Sequence, residues 1–200
     1  RASYLGSGDI AAVLGLDPWR GPIDVWLEHT HRQPREDISG RLDVALGLEL
    51  EGFLLDWYAR DTGLRVRHPL PLCQHPAAPW ACATPDGVAE ARSCRIVEAK
   101  TTAERWESVP ERIRYQVAWQ LVVVRACSPG TYELQVDVPT LSFFRGRYYH
   151  CLSVTLSEDF LTEVWERASA WWQRHVVEDV PPEITEADIR AGSAVRLYPH

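Results

Sequence analysis

Residues Arg95-Ile96-Val97-Glu98-Ala99-Lys100-Thr101 read RIVEAKT, and Lys100 is the single lysine in 200 residues that otherwise use arginine for every base. A coding preference for arginine accounts for the bias but not for where the exception falls. Side chains alternate faces along a β-strand, so Glu98 and Lys100 point one way while Val97 and Ala99 point the other, into a core. A carboxylate and an ammonium side by side on a sheet can bind a hard cation and neutralise charge developing on a phosphate. Alone, such a pair reads as an exposed salt bridge of little consequence. Its surroundings change that reading.

Just upstream, Cys82-Ala83-Thr84-Pro85-Asp86-Gly87 ends a short strand in a strong turn signal. Residues 88–91 and 95–101 then read as a hairpin, which folds Asp86 back beside Glu98. Two carboxylates brought close repel one another unless a divalent cation lies between them. Further upstream, residues 42–58 carry apolar side chains at three- and four-residue spacing (Leu42, Ala45, Leu46, Leu50, Phe53, Leu54, Trp57), the pattern of an amphipathic helix that includes Glu51. Gly63 is its expected stop. Downstream, a helix over 110–124 contains Gln116 and Gln120 among apolar neighbours, and polar groups at core positions need partners.

Elsewhere, residues 5–16 read as a short apolar helix with Ser7 and Asp9 as capping candidates, and Pro22 as the first residue of a second helix. Residues 64–68 and 80–84 read as strands, and 69–79 as a proline-rich connection. Residues 132–138 and 148–155 read as two further strands. Ser157 opens a long helix that Pro181-Pro182 ends, and the tail over 181–200 is weakly patterned. This order predicts one α/β domain over 1–200, a mixed central β-sheet flanked by helices, with core motifs over about 5–124 and C-terminal strands and helix over 131–180.

Composition sets limits. A hydrophobic fraction of 46% is enough for one substantial core. The net charge of −7 argues against a generally basic nucleic-acid binder but leaves room for an enzyme with local phosphate contacts and cation-holding carboxylates. Five separated cysteines without a CxxC signal neither a zinc nor an iron–sulfur site; reduced, buried thiols are expected. The histidines lack paired spacing and none is assigned a metal. No stretch reads as a signal peptide or is apolar for long enough to span a bilayer, so a cytoplasmic protein is expected. The start at Arg1 and the absence of methionine are what a piece of a longer protein would show.

Taken together, GSGDIAAVLGLDPW, GLELE, TPDG, VEAK and VPERIRYQVAWQL resemble the YqaJ-like viral recombinase and lambda-exonuclease-type family of the PD-(D/E)xK nuclease superfamily. The resemblance implies a restriction-endonuclease-like core and a metal-dependent DNA exonuclease using two Mg²⁺ ions, with Mn²⁺ as the alternative. It implies 5′→3′ resection of linear duplex, leaving a 3′ single strand for recombination. Asp86, Glu98, the Ala99 carbonyl and Glu51 take the place of metal-binding groups, Lys100 that of the catalytic lysine, and Gln116 that of the glutamine beside them. Ser7, Thr84, Arg112 and Arg114 are candidate DNA contacts. Ser7 departs from the pattern, because relatives read GGSD where this chain reads GSGD. Expected partners are duplex DNA ends, a single-strand annealing protein and further copies of the chain, with no membrane. The rival readings are an endonuclease or repair nuclease of the same superfamily, and an inactive DNA-end-binding module. Trp106 and Trp119 are weighed as base-stacking groups against the commoner role of core aromatics.

Overall fold

The computed structural model describes residues 4–128 and 132–192. A 3₁₀ turn (Ser7–Asp9) leads into α1 (Ile10–Val13), followed by α2 (Pro22–His29) and α3 (Leu42–Thr62). Short strands β1 (Arg65–Arg67), β2 (Cys73–Gln74), β3 (Cys82–Ala83), β4 (Gly87–Glu90), β5 (Cys94–Val97) and β6 (Lys100–Thr102) precede α4 (Glu111–Cys127). The long strands β7 (Tyr132–Ser142) and β8 (Tyr148–Thr155) follow, then α5 (Glu158–Trp171), a π-helical extension (Trp172–Val177) and α6 (Glu186–Ala191).

The main sheet has the order β1-β4-β5-β7-β6, with β8 on the other side of β7. Pairing is antiparallel except where β5 and β6 run parallel to β7. The expected mixed sheet flanked by helices is what is found. Its two faces are covered unequally. One face, with Ile96, Val136 and Val138, packs against α1, α2, α4 and α5 in the larger core. The other, with Ala89, Val97 and Ala99, packs under Leu54, Leu55 and Tyr58 of α3. The alternation expected for RIVEAKT is therefore present, but not as one strand. The ladder breaks at Glu98 and Ala99, leaving β5 and β6 as two pieces beside one continuous β7.

Four other expectations change. The apolar row of the amphipathic helix α3 is covered only in part: Leu54 is buried, while Leu42, Leu46, Phe53 and Trp57 are 82%, 38%, 49% and 43% exposed. The side chains that meet the sheet are Leu54, Leu55 and Tyr58, one step round the helix from Phe53 and Trp57. The proline-rich connection contains β2, which pairs with β3. Of the five cysteines, all thiols, Cys82 alone is fully buried and Cys127 is exposed. The tail holds α6, started by a capping box in which Thr185 Oγ1 accepts from Asp188 N, while residues 193–200 lie outside the described residues. Asp188 is fully buried and also accepts from the α2 backbone at Ile23 N, 3.0 Å away. A Cβ at Gly21 would overlap the Asp188 carboxylate, so the docked tail requires glycine there.

Asp137 fixes β7 against both neighbours. Its carboxylate accepts from Tyr58 Oη (2.6 Å), Ser153 Oγ (2.6 Å), Arg95 Nη1 (2.9 Å) and Gln135 Nε2 (2.9 Å). Its backbone oxygen accepts from Glu98 N at 3.0 Å, so the same residue sets the position of the ladder break. Burial alone would raise its carboxyl; the four donors outweigh this and hold it below the usual carboxylate range. The folded value thus lies below the unfolded value of ~3.9, so this stabilisation is complete above about pH 4 and is lost as pH falls through the folded value. We expect Asp137→Asn to cost about 2 kcal/mol at pH 7, and the gap to the parent to narrow at pH 3, as read from urea unfolding at both pH values.

Candidate active site

At the break between β5 and β6 the Glu98 carboxylate is 1% exposed. A buried charge requires compensation from every side. Lys100 Nζ donates to Glu98 Oε1 at 2.6 Å, Gln116 Nε2 donates to the same oxygen at 2.6 Å, and Gln120 Nε2 donates to Oε2 at 2.8 Å. Gln116 and Gln120 lie one turn apart on α4, on the face turned to the sheet. Gln120 was noticed in the sequence as a polar residue needing a partner but was not assigned to the site; its carbonyl oxygen is buried without a hydrogen-bond partner. Trp119, fully buried, donates its indole N–H to Cys82 O at 2.9 Å. The helix that holds Glu98 thus also holds β3, which leads into the Thr84-Pro85-Asp86 turn.

Asp86 is half-buried, and its Oδ2 accepts from Ala99 N at 2.9 Å, across the break from Glu98. Burial first, then the Glu98 charge, pushes its carboxyl well above the ordinary range, with Glu51 adding to the rise and Lys100 opposing it. Burial and the Glu98 charge likewise raise Glu51, on the N-terminal half of α3. For Lys100, burial would lower the ammonium, but Glu98 and Asp86 outweigh it and hold it above its usual value. Asp86 and Glu51, both raised beside the Glu98 charge, form with Glu98 and one lysine a donor set suited to a hard divalent cation. The set is not preassembled as a cage: among the described residues no three carboxylate, imidazole or thiol side chains converge on one point, and both Glu98 oxygens are engaged by Lys100 and the glutamines.

The candidate DNA contacts spread unequally around this set. Arg112 and Lys100 line one open cavity of about 390 Å³, together with Trp19, Trp106 and Phe143. Arg112 is one turn before Gln116 on the same face of α4. Thr84 is exposed at the turn before Asp86. Ser7 is half-buried in the 3₁₀ turn, which packs against α4. Arg114 is not brought to the set; it leans over Phe160 of α5, 5.2 Å from the ring centre. Trp106 and Trp119 are both buried, Trp119 fully, so the core role is the one they fill.

Among known proteins, the family model of the YqaJ-like viral recombinase domain matches residues 1–128. The chain belongs to that family. Over 130 residues it is 27% identical to the protein YqaJ of Bacillus subtilis, a match that covers 62% of this chain and 40% of that protein. The chain thus spans less than half the length of this curated relative. The fold is similar to that of the alkaline exonuclease LHK-Exo from Laribacter hongkongensis, with a TM-score of 0.61, 16% identity and coverage of 98% of this chain and 96% of that one. A complex of the same exonuclease with dAMP gives a TM-score of 0.62 at 17% identity, over 98% and 95% of the two chains.

The frustration among the carboxylates has a thermodynamic consequence. A carboxyl whose folded pKa is raised stabilises the fold below its unfolded value and costs stability as pH rises through the folded one. In chelator, the parent should therefore lose stability as pH climbs from about 4, and Asp86→Asn should lose less and stand above the parent at pH 8. Added Mn²⁺ should raise the parent's melting temperature and leave Asp86→Asn almost unmoved. Calorimetric melts across pH, with and without metal, read both effects.

Proposed function

We propose that this chain is a metal-dependent DNA exonuclease acting on linear duplex, and that residues 1–200 form one nuclease domain. The observation that carries the reading is the juxtaposition of Asp86, Glu98 and Lys100 at a sheet break, with Gln116 on the Glu98 oxygen that Lys100 also reaches. Family membership and a fold shared with an alkaline exonuclease over almost the whole chain support it.

Asp86 and Glu98 would hold the divalent ion, Mg²⁺ or Mn²⁺, with Glu51 and the Ala99 carbonyl available to a second. Such ions supply Lewis-acid stabilisation of phosphate charge and lower the pKa of a bound water. The chain's own residues do the rest. Lys100 is a compact ammonium that can leave Glu98 for a phosphate oxygen or a water, a movement a planar guanidinium at the same spot could not copy. Gln116 and Gln120 keep Glu98 in place when Lys100 lets go. Arg112, in the same cavity, offers donors to the strand's phosphates.

The net charge favours ends over duplex interiors. A chain of net charge −7 binds the middle of a duplex poorly, because non-specific affinity rests on phosphate neutralisation. An end entering an enclosed channel makes its contacts locally. A 5′→3′ direction, a product 3′ single strand for an annealing partner, and an oligomer around DNA belong to the same reading. The exposed apolar row of α3 supports the oligomer, since monomers seldom leave such side chains uncovered.

With Mg²⁺ at low salt, the protein should degrade linear plasmid and leave relaxed closed circles intact, and EDTA should abolish the loss. Nicking of circles at a comparable rate would replace this reading by the endonuclease one; tight end binding with no loss of either form would favour an inactive binding module. Lys100→Ala should slow the degradation about 10²–10³-fold while binding of ends persists, and Lys100→Arg should not restore it.

A further inference from the structure

Trp19 is 63% exposed, the most open of the nine tryptophans. Exposed indoles normally sit on pliable loops, but this one is held. Asp17 Oδ1 accepts from Trp19 N at 2.7 Å and from Arg20 N at 3.2 Å, closing a tight side-chain turn around it. The next residue, Arg20, is anchored by ion pairs to buried Asp9 at 3.0 Å and to Glu28 at 2.6 Å. The indole therefore projects from a backbone fixed on both sides, at the rim of the cavity that Lys100 lines.

Arg112 lies behind it. Its guanidinium carbon is 5.3 Å from the Trp19 ring centre and 5.6 Å from that of Trp106, so the cation is stacked between two indoles. Among the described residues no carboxylate pairs with Arg112, whereas the two acids lining the cavity are engaged elsewhere: Asp43 with Arg41 at 2.8 Å, and Glu104 with the Trp106 indole N–H at 3.2 Å. The cavity thus offers an unpaired, pre-oriented cation next to a rigid aromatic face open to solvent. A phosphate and a base answer those two features, and one nucleotide carries both.

We propose that Trp19 is a stacking platform for an unpaired nucleobase of the strand entering the cavity, with Arg112 contacting that nucleotide's phosphate. The inference rests on the nuclease reading above and narrows its substrate. A base inside a duplex is already stacked on both neighbours, so only a frayed or single-stranded terminal nucleotide can lie on the indole. Ends with a short single-stranded overhang are then the preferred ligand.

The test is binding in EDTA, where no strand is cut, by fluorescence anisotropy. One duplex carries a four-nucleotide single-stranded overhang on each 5′ end; the other carries the same overhang made of abasic residues. The parent should bind the first about tenfold tighter, the size expected for one base on an aromatic face. Trp19→Leu and Trp19→Ala should bind both alike, and Trp19→Phe should keep most of the preference. Because the side chain is exposed, melting temperatures should stay close to the parent's. A parent without preference for bases, or a Trp19→Leu protein that retains it, overturns the platform. If the parent meanwhile degrades linear DNA in Mg²⁺, the nuclease reading survives that failure; if it neither binds nor degrades DNA, both fall.

Discussion

A carboxylate that is 1% exposed has to be answered by its neighbours, and at Glu98 the answer organises the molecule. Lys100 comes from the next strand piece, and Gln116 and Gln120 come from α4. The backbone amide of Glu98 is taken by Asp137 of β7. The four partners come from three elements, so the sheet, its ladder break and the helix above it cannot shift independently. Three charge-assisted or amide donors satisfy the charge but leave it next to Asp86, whose own ionisation it opposes. Stability is given up at Asp86, beside Glu98, as functional sites commonly do.

The helix α4 works as a ruler. Arg112, Gln116 and Gln120 recur every four residues along one face, and Trp119 beside them reaches Cys82 O. The ruler therefore spans from the cavity through Glu98 to the strand that delivers Asp86. On the far face of the sheet, α3 closes Val97 and Ala99 with Leu54, Leu55 and Tyr58, and Tyr58 ties into Asp137. The proposed chemistry sits where these two layers meet at an edge, with backbone irregular at Glu98 and Ala99.

Much of this was legible in the residues. The Glu98–Lys100 face, the return of Asp86, the helix with its two glutamines and the glycine stop at Gly63 follow from alternation, turn chemistry and periodicity. What was not legible depends on tertiary context. Periodicity says that α3 has an apolar row but not which of its side chains find cover, so the exposure of Leu42, Leu46, Phe53 and Trp57 could not be read from it. Alternation survives a broken ladder, so it could not show that β5 and β6 are separate. Family matching singled out Gln116 and passed over Gln120, although burial among apolar neighbours was the signal for both. Thr185 and Asp188 carried a capping box that marks α6, hidden in a tail without apolar periodicity. Trp19 lies in a recognised motif, and only its exposure and its contact with Arg112 give it a role of its own.

The central claim is that Asp86 and Glu98 form a cation site held by α4. Diffraction from crystals soaked in Mn²⁺, with data collected at the manganese edge, tests it directly. The account predicts anomalous density contacting both carboxylates, with Gln116 and Gln120 still on Glu98 and no density in crystals of Asp86→Asn. Crystals saturated with Mn²⁺ that show Glu98 fully engaged by Lys100 and both glutamines, and no anomalous peak at Asp86, would contradict it.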